Sequence, residues 1–267
     1  MDLAGRKALL TGATGGLGRA IATAMAERGA VLVLSARNQE ALGGLAAELP
    51  GEGHRAVAAD LAEPGAAEKL AAGAGEVAIL VANAGLPGAG SLTEFTPEQV
   101  TRGLRVNLEA PILMARALFP AMVERGSGHL VFIASLAGKA GSPLSSVYSA
   151  TKFGLRGFAL GLRTDLGPKG VGVSLVSPGF IREAWMFAEA GAKPPPGMGT
   201  GTPGQVAKAV VKAIERDKVE LAVAPLRQRA LAHLALASPS VSARAQSGAA
   251  GQKAAAAITS GHSPDKR

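Results

Sequence analysis

The chain has 267 residues, 48% of them hydrophobic and 18% charged, which excludes a disordered or fibrous protein and leaves ample length for a full core. It has no cysteine, which excludes a disulfide scaffold and a thiolate metal site, and only 3% aromatics, which leaves no stacking platform for single-stranded nucleic acid. The net charge is +8, and from Leu226 onward six Lys or Arg face one acid, a stretch that reads as a solvated basic tail with a nucleic-acid or anionic-lipid patch as the alternative.

Apolar runs of β type alternate with helical stretches. Lys7 to Thr11 reads as the first strand and Gly16 to Arg28 as the first helix. Val31 to Ser35 is the next strand and Gln39 to Leu49 the next helix. Strands follow at Arg55 to Ala59, Val77 to Ala82, His129 to Ser135, Val171 to Ser177 and Val219 to Ala224. Helices are expected between them at Pro64 to Ala72, Pro97 to Arg125, Ser146 to Leu166 and Pro203 to Arg216. The strand runs are nearly all apolar rather than alternating, as in a parallel sheet covered on both faces. The α/β alternation predicts right-handed crossovers and one doubly wound parallel sheet over residues 1–225.

Two segments break the rhythm. Phe180 to Thr202 holds Trp185, Met186 and Phe187, then three prolines and Gly197, and reads as an insertion after a strand. After Ser238 the Ala-, Ser- and Gly-rich tail is expected to be partly disordered. No apolar stretch of about 18 residues runs uninterrupted, and the N-terminus carries no apolar signal core, so neither a membrane span nor a signal peptide is expected. A cytoplasmic protein is the corresponding expectation.

Gly12, Thr14, Gly16, Leu17 and Gly18 lie in a glycine-rich turn between the first strand and the first helix. Such a turn brings backbone amides close to a pyrophosphate at a helix N-terminus. The second strand ends in Ser35-Ala36-Arg37-Asn38, where an NAD site usually carries an acid for the ribose hydroxyls. No acid stands there. Arg37 can hold a 2′-phosphate, which favours NADP(H) over NAD(H).

Tyr148 and Lys152 sit four residues apart at the start of a predicted helix, so they share one face. An ammonium nearby favours the phenolate form of tyrosine. Ser135 closes a strand at the crevice side of the sheet, where its hydroxyl can orient a carbonyl toward Tyr148. His54, His129, His233 and His262 show no ligand spacing, so no metal site is expected.

Together these residues resemble the short-chain dehydrogenase/reductase superfamily over about Leu3 to Ala224. Thr11 to Gly18 is similar to its TGxxxGxG turn, Asn83-Ala84-Gly85 to its NAG motif, and Asn107, Ser135, Tyr148 and Lys152 to its catalytic tetrad. The resemblance implies a Rossmann fold and hydride transfer between a nicotinamide and a carbonyl or alcohol. It implies that Tyr148 is the general acid or base and that Lys152 lowers its pKa and holds the ribose. Ser135 would polarise the substrate, and Asn107 would hold a water that links Lys152 to solvent. Asp60 and Leu61 would meet the adenine, Thr14, Gly16, Leu17 and Gly18 the phosphates, and Pro178, Gly179 and the Ile181 backbone the nicotinamide. Glu183 stands where the family often has threonine, and the chain beyond Ala224 departs from the family's usual ending.

The resemblance also places a substrate lid over about residues 180–202. There Trp185, Met186 and Phe187 either favour a hydrophobic ketone, aldehyde or 3-oxoacyl substrate or only pack the lid. It implies a homodimer, with a homotetramer as the alternative, through the helices before Arg125 and after Ser146. The competing functions are an epimerase or dehydratase on the same fold and a non-catalytic NADP(H)-binding sensor or scaffold. No nucleic-acid partner is expected. Leu226 to Ser238 reads as a surface helix in a dimer or lid contact, ahead of a membrane contact.

Overall fold

The computed structural model describes residues 1–182, 197–248 and 256. Its strands are β1 (Lys7–Thr11), β2 (Val31–Ala36), β3 (Arg55–Ala58), β4 (Ile79–Ala82), β5 (Gly128–Ile133), β6 (Val171–Pro178) and β7 (Glu220–Val223). They pair in parallel as one seven-stranded sheet in the order β3-β2-β1-β4-β5-β6-β7. The helices are α1 (Gly16–Ala26), α2 (Gln39–Glu48), α3 (Ala66–Ala74), α4 (Pro97–Leu104), α5 (Ala110–Glu124), α6 (Ser146–Leu166), α7 (Pro203–Glu215), α8 (Leu226–Ala237) and α9 (Pro239–Ser247).

The inner strands are nearly all apolar because alternate residues feed two different cores. Leu10, Val81 and Ile133 pack with Ile21 of α1, Leu42 of α2 and Val210 of α7. Their neighbours Leu9, Leu80 and Phe132 pack with Leu70 of α3, Met114 of α5 and Leu155 of α6. Each such side chain, fully buried, contributes about 1.5–3 kcal/mol. Phe132 also meets Phe158 edge to face, with ring centroids 5.6 Å apart. The winding reverses between β1 and β4, and a crevice opens beyond their C-terminal ends.

Local chemistry sets the helix starts. Thr96 and Thr202 each close a capping box, with Gln99 and Gln205, and proline follows at the first helical position. α3 begins at Ala66 rather than Pro64, because Gly65 takes a left-handed φ of 75° before it. β4 begins at Ile79, two residues later than expected.

The helix expected over Pro97 to Arg125 is interrupted, because Arg105–Glu109 winds as a π-helical turn between α4 and α5. The combined 28-residue rod, Pro97–Glu124, is long and apolar enough to cross a membrane by length and composition, where no such helix was expected. Its apolar side is spent inside the domain, with Ala110, Met114, Ala115 and Met122 buried in the core that α3 shares. That is the pattern of a core helix.

Part of the tail expected to be disordered is helical, as α9. Residues 249–255 and 257–267 lie outside the described residues. So do 183–196, which carry Glu183, Trp185, Met186 and Phe187.

Candidate active site

The floor of the crevice is a polar stitch between β1 and β4. The Thr11 hydroxyl accepts from the backbone amides of Asn83 and Ala84, both at 3.1 Å. The Asn83 amide donates back to the Thr11 and Gly12 carbonyls at 3.0 and 3.2 Å. Close approach then demands glycine. Gly12 has φ +64°, and a Cβ there would lie 2.9 Å from the Ala84 Cα. A Cβ on Gly18 would lie 2.0 Å from the Gly12 carbonyl oxygen. Gly15 caps α1 without a side-chain bond, so the orphan amides of the first turn are left for a ligand.

From this turn a cleft of about 320 Å³ runs along the strand ends. Gly12, Thr14, Gly16, Leu17 and Gly18 line one stretch of it, and Asn83, Ala84 and Gly85 face them. Arg37, Asp60 and Leu61 line the far end. Asn38 also stands there, its side chain accepting from the Ala41 amide at 2.9 Å to cap α2. A bare cradle, a helix N-terminus and a cation at the far end fit a phosphate-bearing dinucleotide. Arg102 of α4 lines the cleft as well, and the sequence reading missed it. No local motif marks Arg102; only the fold brings α4 beside Asp60 and Leu61.

Ile133 and Lys152 line the other end, next to the titratable cluster. α6 starts at Ser146, as expected, and carries Tyr148 and Lys152 with 6% and 2% of their surface exposed. The Lys152 ammonium lies 5.6 Å from the Tyr148 ring centroid and donates to the Ile133 carbonyl at 2.9 Å. The Ser135 hydroxyl accepts from the Ala137 amide at 3.1 Å and acts on the Tyr148 phenol to lower its pKa. Burial pushes the Tyr148 phenol up to about 12, against the pull of Ser135. Burial also brings the Lys152 ammonium down to about 8. Both shifts favour the neutral form.

Asn107 sits in the π-helical turn, and its side chain is committed. Its Oδ1 accepts from the Leu86 amide at 2.6 Å, while its Nδ2 donates to the Leu86 carbonyl at 2.9 Å and to the Thr151 hydroxyl at 3.4 Å. The Thr151 hydroxyl donates in turn to the Tyr148 carbonyl at 2.7 Å. Asn107 thus ties the loop after β4 to the first turn of α6.

Pro178 and Gly179 end β6 beside the Ser135 turn and do not line the main cleft. A Cβ on Gly179 would come within 3.2 Å of Leu136 and 2.1 Å of the Gln228 Oε1. Ile181 bridges to Gly201. Gln228 of α8, 4% exposed, was not foreseen from sequence. Its Oε1 accepts from the Phe180 amide at 3.2 Å, and its Nε2 donates to the Met198 and Gly199 carbonyls, both at 2.9 Å. A glutamine inside a surface-type helix carries no signal until the strand end it meets is known. Among the described residues no group of three His, Cys, Asp or Glu could hold a metal ion.

The family model for short chain dehydrogenase matches residues 6–194. A ketoacyl reductase, HetN, of a Nostoc species is 37% identical over 83% of this chain and 79% of its own length. Dehydrogenase/reductase SDR family member 7B of Bos taurus is 38% identical over 65% of this chain, which spans only 57% of that relative. A short-chain dehydrogenase of Sphingobium yanoikuyae, solved in complex with NADPH, is 30% identical, covers 86% of this chain and 93% of its own, and superposes with a TM-score of 0.77.

Proposed function

The chain belongs to the short-chain dehydrogenase/reductase family and is an oxidoreductase, and from that premise we propose that it is an NADP(H)-dependent reductase of a hydrophobic ketone, aldehyde or 3-oxoacyl compound. One observation carries this reading. Tyr148, with the Lys152 ammonium 5.6 Å from its ring centroid and Ser135 acting on its phenol, stands at one end of a glycine-lined cleft whose other end holds Arg37.

In this reading Gly12, Thr14, Gly16, Leu17 and Gly18 hold the pyrophosphate. Arg37 holds the 2′-phosphate, with Asp60 and Leu61 at the adenine. Asn83, Ala84 and Gly85 back the cofactor, and Pro178, Gly179 and the Ile181 backbone face the nicotinamide. When bound, the cofactor supplies the hydride. Ser135 donates its hydroxyl hydrogen to the substrate carbonyl and fixes its orientation. Tyr148 is protonated throughout the neutral range, so it gives its proton to the oxygen that becomes the alcohol. The Lys152 ammonium stabilises the phenolate left behind and holds the ribose. Asn107 holds the water that links Lys152 to solvent, while its side-chain amide is tied to Leu86 and Thr151.

The protein name of the Nostoc relative favours a 3-oxoacyl substrate, and the NADPH complex of the Sphingobium enzyme favours NADP(H). We read the assembly as a cytoplasmic homodimer through α5 and α6, where Phe153 is 42% exposed.

The test is calorimetric titration with NADPH and NADH, followed by turnover of ethyl acetoacetate, acetophenone and benzaldehyde. NADPH binds tighter than NADH, and Arg37→Ala closes the gap. Tyr148→Phe keeps NADPH binding and loses turnover. Equal affinities in the native protein remove the NADP(H) assignment, and full turnover in Tyr148→Phe removes the general acid.

A further inference from the structure

The site rests on three segments: the turn after β5 with Ser135, the start of α6 with Tyr148 and Lys152, and the end of β6 with Pro178 and Gly179. Each segment sends one side chain to the same carboxylate. Glu220 opens β7, and its Oε1 accepts from the Ser177 hydroxyl at 2.8 Å and from the Lys139 ammonium at 3.0 Å. Its Oε2 accepts from the Nε and Nη2 of Arg156, both at 3.3 Å.

The spacing along the chain is informative. Lys139 ends the 3₁₀ turn, Leu136–Gly138, that starts at Ser135, and the Gly138 amide donates to the Ser135 carbonyl at 2.9 Å. Arg156 is one helical turn beyond Lys152 on α6. Ser177 is adjacent to Pro178.

The hub is shielded from water. The Lys139 side chain is 3% exposed, that of Glu220 14% and that of Arg156 24%. Burial opposes ionisation of Glu220, but the bonds from Lys139 and Ser177 and the Lys139 charge outweigh it and hold the carboxyl below its ordinary range. A buried ion cluster is a poor source of stability, since apolar side chains of the same volume serve as well. Its directional bonds fix geometry instead.

We propose that Glu220 is a positioning residue of the site described above, holding the Ser135 turn, α6 and the Pro178-Gly179 turn in register through Lys139, Arg156 and Ser177. The inference rests on the dehydrogenase reading of that site. Without the carboxylate, the buried Lys139 ammonium and the half-buried Arg156 guanidinium face each other across a neutral group, and the turn that carries Ser135 moves away from α6.

The experiment compares the native chain with Glu220→Gln. Affinity is measured for NADPH and for adenosine 2′,5′-bisphosphate, which needs only the Arg37 end of the cleft. Glu220→Gln weakens NADPH about tenfold, the scale of one lost charged hydrogen bond, and leaves the bisphosphate within about twofold. In turnover of ethyl acetoacetate, kcat falls while the KM for NADPH follows the binding loss alone.

Equal weakening of both ligands means general loosening and overturns the proposal, as does no change in either. Lys139→Met, which leaves Glu220 paired with Arg156 and Ser177, shows the same selective loss and replaces Glu220→Gln if that variant does not fold. If the native chain reduces none of the carbonyl probes, the catalytic reading fails, and the NADPH-to-bisphosphate ratio still decides the role of Glu220.

Discussion

Lys152→Met makes the protein more stable and inactive, and its pH dependence identifies the cause. The Lys152 ammonium is fully buried and titrates at about 8, against an ordinary value of 10.5. The unfolded chain therefore binds a proton more tightly than the folded one at this position. Below pH 8 the penalty is present in full, and it disappears as pH rises through the unfolded value. The difference corresponds to about 3 kcal/mol of destabilisation at neutral pH. Met keeps the aliphatic stem but loses the bond to the Ile133 carbonyl, which costs about 1 kcal/mol. The net gain for Lys152→Met at pH 7 is then about 2 kcal/mol, offset in function by the loss of hydride transfer. Urea unfolding at pH 7 and again above pH 10.5 reads it directly. The gain shrinks or reverses at the higher pH, where the native lysine no longer carries a charge in either state. A Lys152→Met protein that is less stable than the native chain at pH 7, or a gain independent of pH, would falsify the claim that burial of this charge is the dominant cost.

The same ionisation sets an alkaline limit on reduction: activity falls as pH rises through about 8, and a pH–rate profile with no fall before pH 10 rules out Lys152 as the controlling group. Thr11→Val leaves two backbone amides, of Asn83 and Ala84, without their acceptor and lowers unfolding stability by about 2 kcal/mol; a change under about 0.5 kcal/mol shows that the stitch between β1 and β4 is dispensable. Gln228→Leu strips the Phe180 amide of its acceptor, costs about 1–3 kcal/mol, and raises KM for the carbonyl more than it weakens adenosine 2′,5′-bisphosphate binding. An equal effect on both ligands separates Gln228 from the substrate end. If the proposed homodimer forms through α6, Phe153→Asp on its exposed side gives a monomer in analytical ultracentrifugation where the native chain sediments as a dimer; a native monomer, or an unchanged sedimentation coefficient in the variant, removes this interface.

The order of strands and helices was legible because each apolar run is bounded by glycine, proline or a cap. Ser146 to Leu166 came out with both ends as read, and the starts at Pro97 and Pro203 follow from the threonine caps before them. The glycine turn and the Tyr148–Lys152 pair were legible because turn and helix geometry act within a few residues. The π-helical turn at Asn107 was not, since nothing in that helical stretch differs in periodicity from an ordinary α-helix. Its cause is tertiary: the Asn107 side chain must reach Leu86 on one side and Thr151 on the other. Helix α9 was missed because small residues in a tail read as loop by composition, while Pro239 starts a helix in the folded chain.

What the sequence by itself determined are the local conformations: the caps, the largely apolar strands, and the positions where only glycine fits. The tertiary structure decided which distant residues meet. Arg102, Gln228 and Glu220 are ordinary residues in their own segments, and each acquires a role only when α4, α8 and β7 are laid beside the strand ends. It also decided the electrostatics, because a charge is perturbed by the water it loses, and burial of Tyr148 and Lys152 is a property of the assembled core rather than of the helix that carries them.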